Sequence, residues 1–87
     1  MDLEPDEMRA IILRMKRAHG HLGKVISMLE EGTACEDVLT QLAAVNKALN
    51  RSGFAIVATG LQRCLTDGDG LDGVDIAKME KLFLALA

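Results

Sequence analysis

Two cysteines, Cys35 and Cys64, are the only thiols in this 87-residue chain. The interval between them is roughly eight helical turns, so on one straight helix both face the same side while lying roughly 40 Å apart. A disulfide needs Cα atoms within about 7 Å, so the two cannot bridge within one chain. If they act together, each must meet the other's copy in a partner running antiparallel, which describes a thiol sensor in an oligomer. The alternative is two buried cysteines serving as small hydrophobes.

The second group that could do chemistry is cationic. Arg14, Arg17, His21 and Lys24 follow steps of three, four and three and share one face of a helix, opposite much of its apolar seam. Lys16 adds charge beside them, and Lys47 and Arg51 form a further pair four residues apart. On one helix such a stripe is ordinarily a solvated face; repeated in a symmetric assembly it could neutralise several phosphates of double-stranded DNA. No zinc finger, helix-turn-helix or basic zipper pattern is present, so readout would rest on backbone charge and DNA shape.

Other chemistries find little support. His19 and His21 are two residues apart and diverge on a helix. Met8, Met15 and Met28 fit core packing better than a copper box. The run Asp67-Gly68-Asp69-Gly70-Leu71-Asp72-Gly73 has a superficial likeness to a calcium loop, but Asp72 stands where the tight-turn glycine belongs and Lys78 where the bidentate glutamate belongs. There is no Ser/His/Asp set, no apolar carboxylate pair and no phosphate-binding glycine loop, so an enzyme is not expected.

Three helices must position these groups. The first starts at Pro5, with Asp6 and Glu7 in its first turn, and carries a heptad seam of Met8, Ile11, Met15, Ala18, Leu22, Val25 and Leu29. Gly20 and Gly23 interrupt it and suggest a neighbouring helix in close approach; Gly32 ends it in a left-handed conformation. Thr33 and Glu36 fit a capping box that starts a second helix near Ala34. That helix runs unbroken to Thr66 through Val38, Leu42, Val45, Leu49, Gly53, Ile56, Gly60 and Cys64, with Phe54, Val57 and Leu61 as a flanking stripe. Cys35 then lies in the first turn, where free N–H groups and the helix dipole favour a thiolate, and becomes the attacking thiol; Cys64, near the other end beside Arg63, becomes the resolving one. A third helix, roughly 74–86, must pack on the second or on another subunit.

Composition agrees with an all-α reading of residues 1–87 as one domain. There are two Phe, no Trp and no Tyr, so the core is aliphatic. A chain this short buries a limited core alone and gains from oligomerisation. The start Met1-Asp2-Leu3-Glu4-Pro5-Asp6 lacks a signal-peptide pattern and no apolar run approaches a membrane span, which implies a cytoplasmic protein without a membrane partner. The formal net charge is −3, yet acids gather at the N-terminus and after Cys64, leaving the middle basic.

The run from Arg14 to Leu22, Met28-Leu29-Glu30-Glu31-Gly32, and above all Cys35-Glu36-Asp37-Val38-Leu39-Thr40-Gln41-Leu42-Ala43-Ala44-Val45 resemble the CsoR family, the copper-sensitive operon repressors of bacteria and their relatives. The resemblance spans roughly Met8 to Cys64. It implies a three-helix protomer, an antiparallel four-helix-bundle homodimer, a homotetramer built as a dimer of dimers, and release of operator DNA when an inducer reacts at the dimer interface.

In the family's copper sensors a Cys of one protomer joins a His-x-x-x-Cys pair of the other. The cysteine positions are kept here as Cys35 and Cys64, but Gly60 occupies the His position. The formaldehyde-sensing branch, which uses that His and an N-terminal proline, is disfavoured by Gly60 and Asp2. The pattern is most similar to the persulfide-sensing CsoR-like sulfurtransferase repressors (the CstR branch). There Cys35 would attack a reactive sulfur species and Cys64 of the partner would resolve it to a sulfur bridge between protomers, with no cofactor. His21 replaces a Gln common in the family. The expectation is therefore a persulfide-responsive repressor with Arg14, Lys16, Arg17, His21, Lys24, Lys47 and Arg51 on DNA. The alternatives are a Cu(I) sensor whose ligands are Cys35 and Cys64, with His19 one candidate to complete the site, and a helical adaptor without a DNA role.

Overall fold

The computed structural model describes residues 3–66 and 76–87, apart from the side chains of 63–66 and 76. They form three helices, α1 (Arg9–Glu31), α2 (Cys35–Thr66) and α3 (Ile76–Leu86), with no strand among the described residues. The expected all-α protomer with three helices is the one observed. Both the loop 67–73 and the first residues of the expected third helix, 74–75, lie outside the described residues.

Local chemistry sets most helix ends. Gly32, at φ 76°, closes α1 in the left-handed region; its N–H donates to the Leu29 carbonyl and the Thr33 N–H to that of Met28, a Schellman ending. Two expectations need correction. First, α1 begins at Arg9 and not at Pro5. Residues 5–8 form a turn in which the Glu4 carbonyl accepts from both Glu7 and Met8, so Asp6 and Glu7 precede the helix. Asp6 instead meets Arg9 at 3.3 Å, both side chains in solvent.

Second, no Thr33–Glu36 capping box forms among the described residues. The Ala34 carbonyl accepts from Asp37 and Val38, which makes Ala34 the N-cap and leaves Thr33 one residue outside. Glu36 and Asp37 then fall in the first turn of α2 with Cys35, where they complement the dipole themselves.

The three-residue connection 32–34 turns α2 back along α1 as an antiparallel hairpin. Its core is a line against a line. On α1 the seven-residue series Ile11, Ala18 and Val25 is buried, with Met8 at the helix start; on α2 the matching series is Val38, Val45 and Ser52. Met28 and Leu42 pack against the Val25, Val38 and Val45 cluster. The Ser52 hydroxyl, almost fully buried, donates to the Ala48 carbonyl at 3.0 Å and so is satisfied within its own helix.

The expected heptad seam of α1 is thus only half right. Met15, Leu22 and Leu29 are exposed, Leu29 by 63%, because one neighbouring helix can cover only a narrow stripe. Gly20 and Gly23 do not mark a close approach within this chain: a Cβ at either would meet nothing within 4 Å. A close approach is made at Gly53, where a Cβ would lie 2.9 Å from Leu86 Cδ1. There α3 packs on α2, with the Phe54 and Phe83 rings 5.0 Å apart. No described helix is long and apolar enough to cross a membrane.

Candidate functional site

Seven-residue spacing sorts the side chains of the hairpin into two flanks beside the buried line. Three residues after Ile11 and Ala18 of α1 come Arg14 and His21; three after Val38 and Val45 of α2 come Gln41 and Ala48. In an antiparallel hairpin these positions share one side. They meet there as a cleft of about 380 Å³ lined by Arg14, Arg17, Ala18 and His21 from α1 and by Ala48 and Arg51 from α2. The two alanines add short apolar side chains to its lining. Three planar guanidiniums around one concavity suit bidentate recognition of an oxyanion such as phosphate.

Of the seven expected cationic contacts, Arg14, Arg17, His21 and Arg51 are brought together from two helices. Lys16, Lys24 and Lys47 are exposed and line no part of the cleft. The stripe is also not opposite the apolar seam, as its spacing suggested; it borders the buried line directly, so that Arg14 and His21 reach α2. Gln41, unmarked as a site residue by sequence, accepts a hydrogen bond from His21 Nε2–H at 2.6 Å across the helix pair. Only its place three residues after Val38, on the cleft side, could have signalled it.

The opposite flank lies four residues after each buried position and is apolar. It comprises Met15, Leu22 and Leu29 on α1, with Ile26 beyond them, and Leu42, Leu49 and Ile56 on α2. Cys35 starts that α2 series and is a free, exposed thiol. Cys64 belongs to the same unbroken helix, about 43 Å along its axis from Cys35, and its side chain is outside the described residues. The backbone therefore keeps the two thiols of one chain apart. Among the described residues no three His, Cys, Asp or Glu side chains gather as a metal site, and His19 does not approach Cys35 on the same hairpin, lying more than two turns from the end of α1 that adjoins it. Thiolates suit a soft cation such as Cu(I), but these two could act on one ion only from different copies of the chain.

The model of the metal-sensitive transcriptional repressor family matches residues 7–86. The copper-sensing transcriptional repressor CsoR of Mycobacterium ulcerans (strain Agy99) is 38% identical over 74 residues, covering 80% of this chain and 63% of the relative. CsoR of Mycobacterium tuberculosis (strain ATCC 25618 / H37Rv) is 35% identical over 78 residues, 90% of this chain and 65% of its own. The copper-sensing repressor RicR of the same strain is 35% identical over 65 residues, 69% and 68% respectively. The chain thus spans just under two thirds of the length of these CsoR relatives. No solved structure matches it. These relatives are repressors, not enzymes, and the match runs through both flanks and the cysteine-bearing helix: the chain belongs to the CsoR family of metal-sensitive transcriptional repressors.

Proposed function

We propose that this protein is a DNA-binding transcriptional repressor that acts as an oligomer, and that Cu(I), held by Cys35 of one protomer and Cys64 of another, is the inducer that releases DNA. The observation that carries the reading is the division of the hairpin into a cationic side and an apolar side with Cys35 on the latter. Two hairpins that bury their apolar sides against each other antiparallel form a four-helix bundle, set the Cys35 end of one α2 against the Cys64 end of the other, and leave both arginine clefts outward. A dimer of such dimers would present the clefts as an extended array, and a cytoplasmic place follows from the work on DNA. Soft thiolate ligands fit Cu(I), and the copper-sensing names of the relatives support copper over the persulfide that the cysteine pattern alone suggests.

A second reading keeps one specific observation. Gly60, buried one turn before Cys64, supplies no imidazole, so the site has two thiols and is also suited to sulfur transfer. One experiment separates the two. The reduced protein is titrated anaerobically with Cu(I) against a strong chelator, its affinity for DNA from the region upstream of its own gene is followed by anisotropy, and the titration is repeated with polysulfide while intact mass is read. Tight Cu(I) binding that lowers DNA affinity at least tenfold and is lost in Cys35→Ala supports the copper reading. Weak Cu(I) binding together with a sulfur-bridged covalent dimer transfers the assignment to persulfide. DNA binding absent in every state leaves the adaptor.

A further inference from the structure

His21 stands apart from the three arginines of the cleft because its charge depends on pH, and because one edge of its ring is already committed. Gln41 Oε1 can only accept, so the 2.6 Å contact fixes the hydrogen on Nε2. Nδ1 is then the ring nitrogen without a hydrogen bond among the described residues. In the neutral ring Nδ1 carries a lone pair and can donate nothing to an anion; only the imidazolium presents an N–H on both nitrogens. The charged groups around the ring are Arg14, Arg17 and Lys24 on its own helix. On the facing helix they are Arg51 across the cleft, Lys47 one turn before it, and the carboxylate of Asp37 one turn before Gln41. A phosphate seated among the guanidiniums would bring negative charge to the cleft that His21 lines, and an anion near a basic nitrogen favours its protonated form.

We propose that the cleft between α1 and α2 seats one phosphate group and that seating it takes up one proton at Nδ1 of His21, so that DNA binding by this protein is proton-linked. The inference deepens the DNA-binding reading above and rests on it for the source of the phosphate, a backbone diester. The step forms one N–H bond with a proton from solvent and moves no electrons. Gln41 acts as a positioning residue: its hydrogen bond to Nε2–H holds the ring against α2 where His21 lines the cleft. The sign follows from uptake. A complex that binds one more proton than its free components strengthens as pH falls, by at most about tenfold per pH unit.

The test measures affinity for duplex DNA from the upstream region of the gene, by anisotropy at fixed ionic strength with the thiols reduced, between about pH 6 and pH 8 where imidazole ordinarily changes charge. The wild type should bind at least about tenfold more weakly at the upper end. His21→Gln should bind with an affinity that varies less than about twofold over the same range, and His19→Gln should keep the wild-type dependence. Parallel pH dependence in wild type and His21→Gln overturns the proposal.

A second arm follows the His21 ring resonances by NMR as pyrophosphate is added without DNA. The expected result is titration of the ring at higher pH with pyrophosphate present, and a ring that titrates identically with and without it overturns the cleft as a phosphate seat. Pyrophosphate that moves the ring, in a protein that binds no DNA at any pH, keeps the cleft and removes the DNA reading; a free phosphate compound is then its ligand.

Discussion

The two flanks of α1 run beside the same buried line, over the same turns, and carry opposite chemistry. Three residues past Ile11 and Ala18 stand Arg14 and His21; four residues past Ile11, Ala18 and Val25 stand Met15, Leu22 and Leu29. A single residue of spacing, about 100° of rotation, separates the side that gathers three arginines around a cleft from the side that leaves leucines in water. The contrast is energetic as well as chemical. Guanidiniums at the cleft rim cost nothing while solvated, whereas an apolar flank this continuous costs free energy until something covers it. The same hairpin is therefore finished on one side and unfinished on the other.

Substitutions on the apolar flank should have the largest effect. Leu22→Glu combined with Ile26→Glu should leave the helix content of the chain unchanged, because neither side chain is in the core line, but weaken self-association at least a hundredfold, about 3 kcal/mol. Analytical ultracentrifugation reads this against circular dichroism, and an unchanged sedimentation coefficient would mean that this side is not the interface. On the basic flank Arg14→Ala and Arg51→Ala should each weaken DNA binding roughly tenfold and lower the salt slope by about one, while Lys24→Ala, outside the cleft, should cost less than about threefold. Equal losses for all three would indicate a diffuse field in place of a built cleft.

Away from both flanks, Gly20→Ala and Gly23→Ala should each stabilise the protein by about 0.5–1 kcal/mol in thermal unfolding, since alanine favours the helix and nothing within the chain obstructs its methyl group. A loss of stability in the oligomer, with a gain in the isolated protomer, would locate a neighbouring subunit against these glycines. Gly53→Ala should have the smallest effect. A methyl group there meets the flexible end of Leu86, so the helix-forming gain of under about 1 kcal/mol is offset by displacing the end of α3, and the change is best seen as loosened Phe54–Phe83 contact by NMR.

Much of the fold was legible from residue types. Gly32 stops α1 because a left-handed residue is needed there, the unbroken stretch after Cys35 propagates α2, and Arg14, Arg17 and His21 announce a shared face. The start of α1 was not legible. Pro5 permits a turn as well as a helix, and the choice rests on how the Glu4 carbonyl is shared. Nor was the cap of α2, where Thr33 and Glu36 have the right spacing but Ala34 holds the cap position. In the candidate site the arginines were visible as charges, but the roles of Gln41, Ala18 and Ala48 were not, because a cleft lining and a hydrogen-bond partner are defined only by what lies across from them.

Three helices, the end of α1 and the separation of two thiols on one long helix follow from residue order alone, because helix rise and cap chemistry are local and depend on neighbours a few residues away. Which part of the wide apolar arc of α1 becomes core depends instead on the helix packed across from it. One partner helix buries one stripe, and the line Ile11, Ala18 and Val25 meets the small and β-branched line Val38, Val45 and Ser52. That choice turns Arg14 and His21 toward Ala48, Arg51 and Gln41 and leaves Met15, Leu22 and Leu29 on the outside, so the packing of two helices assigns each flank its chemistry.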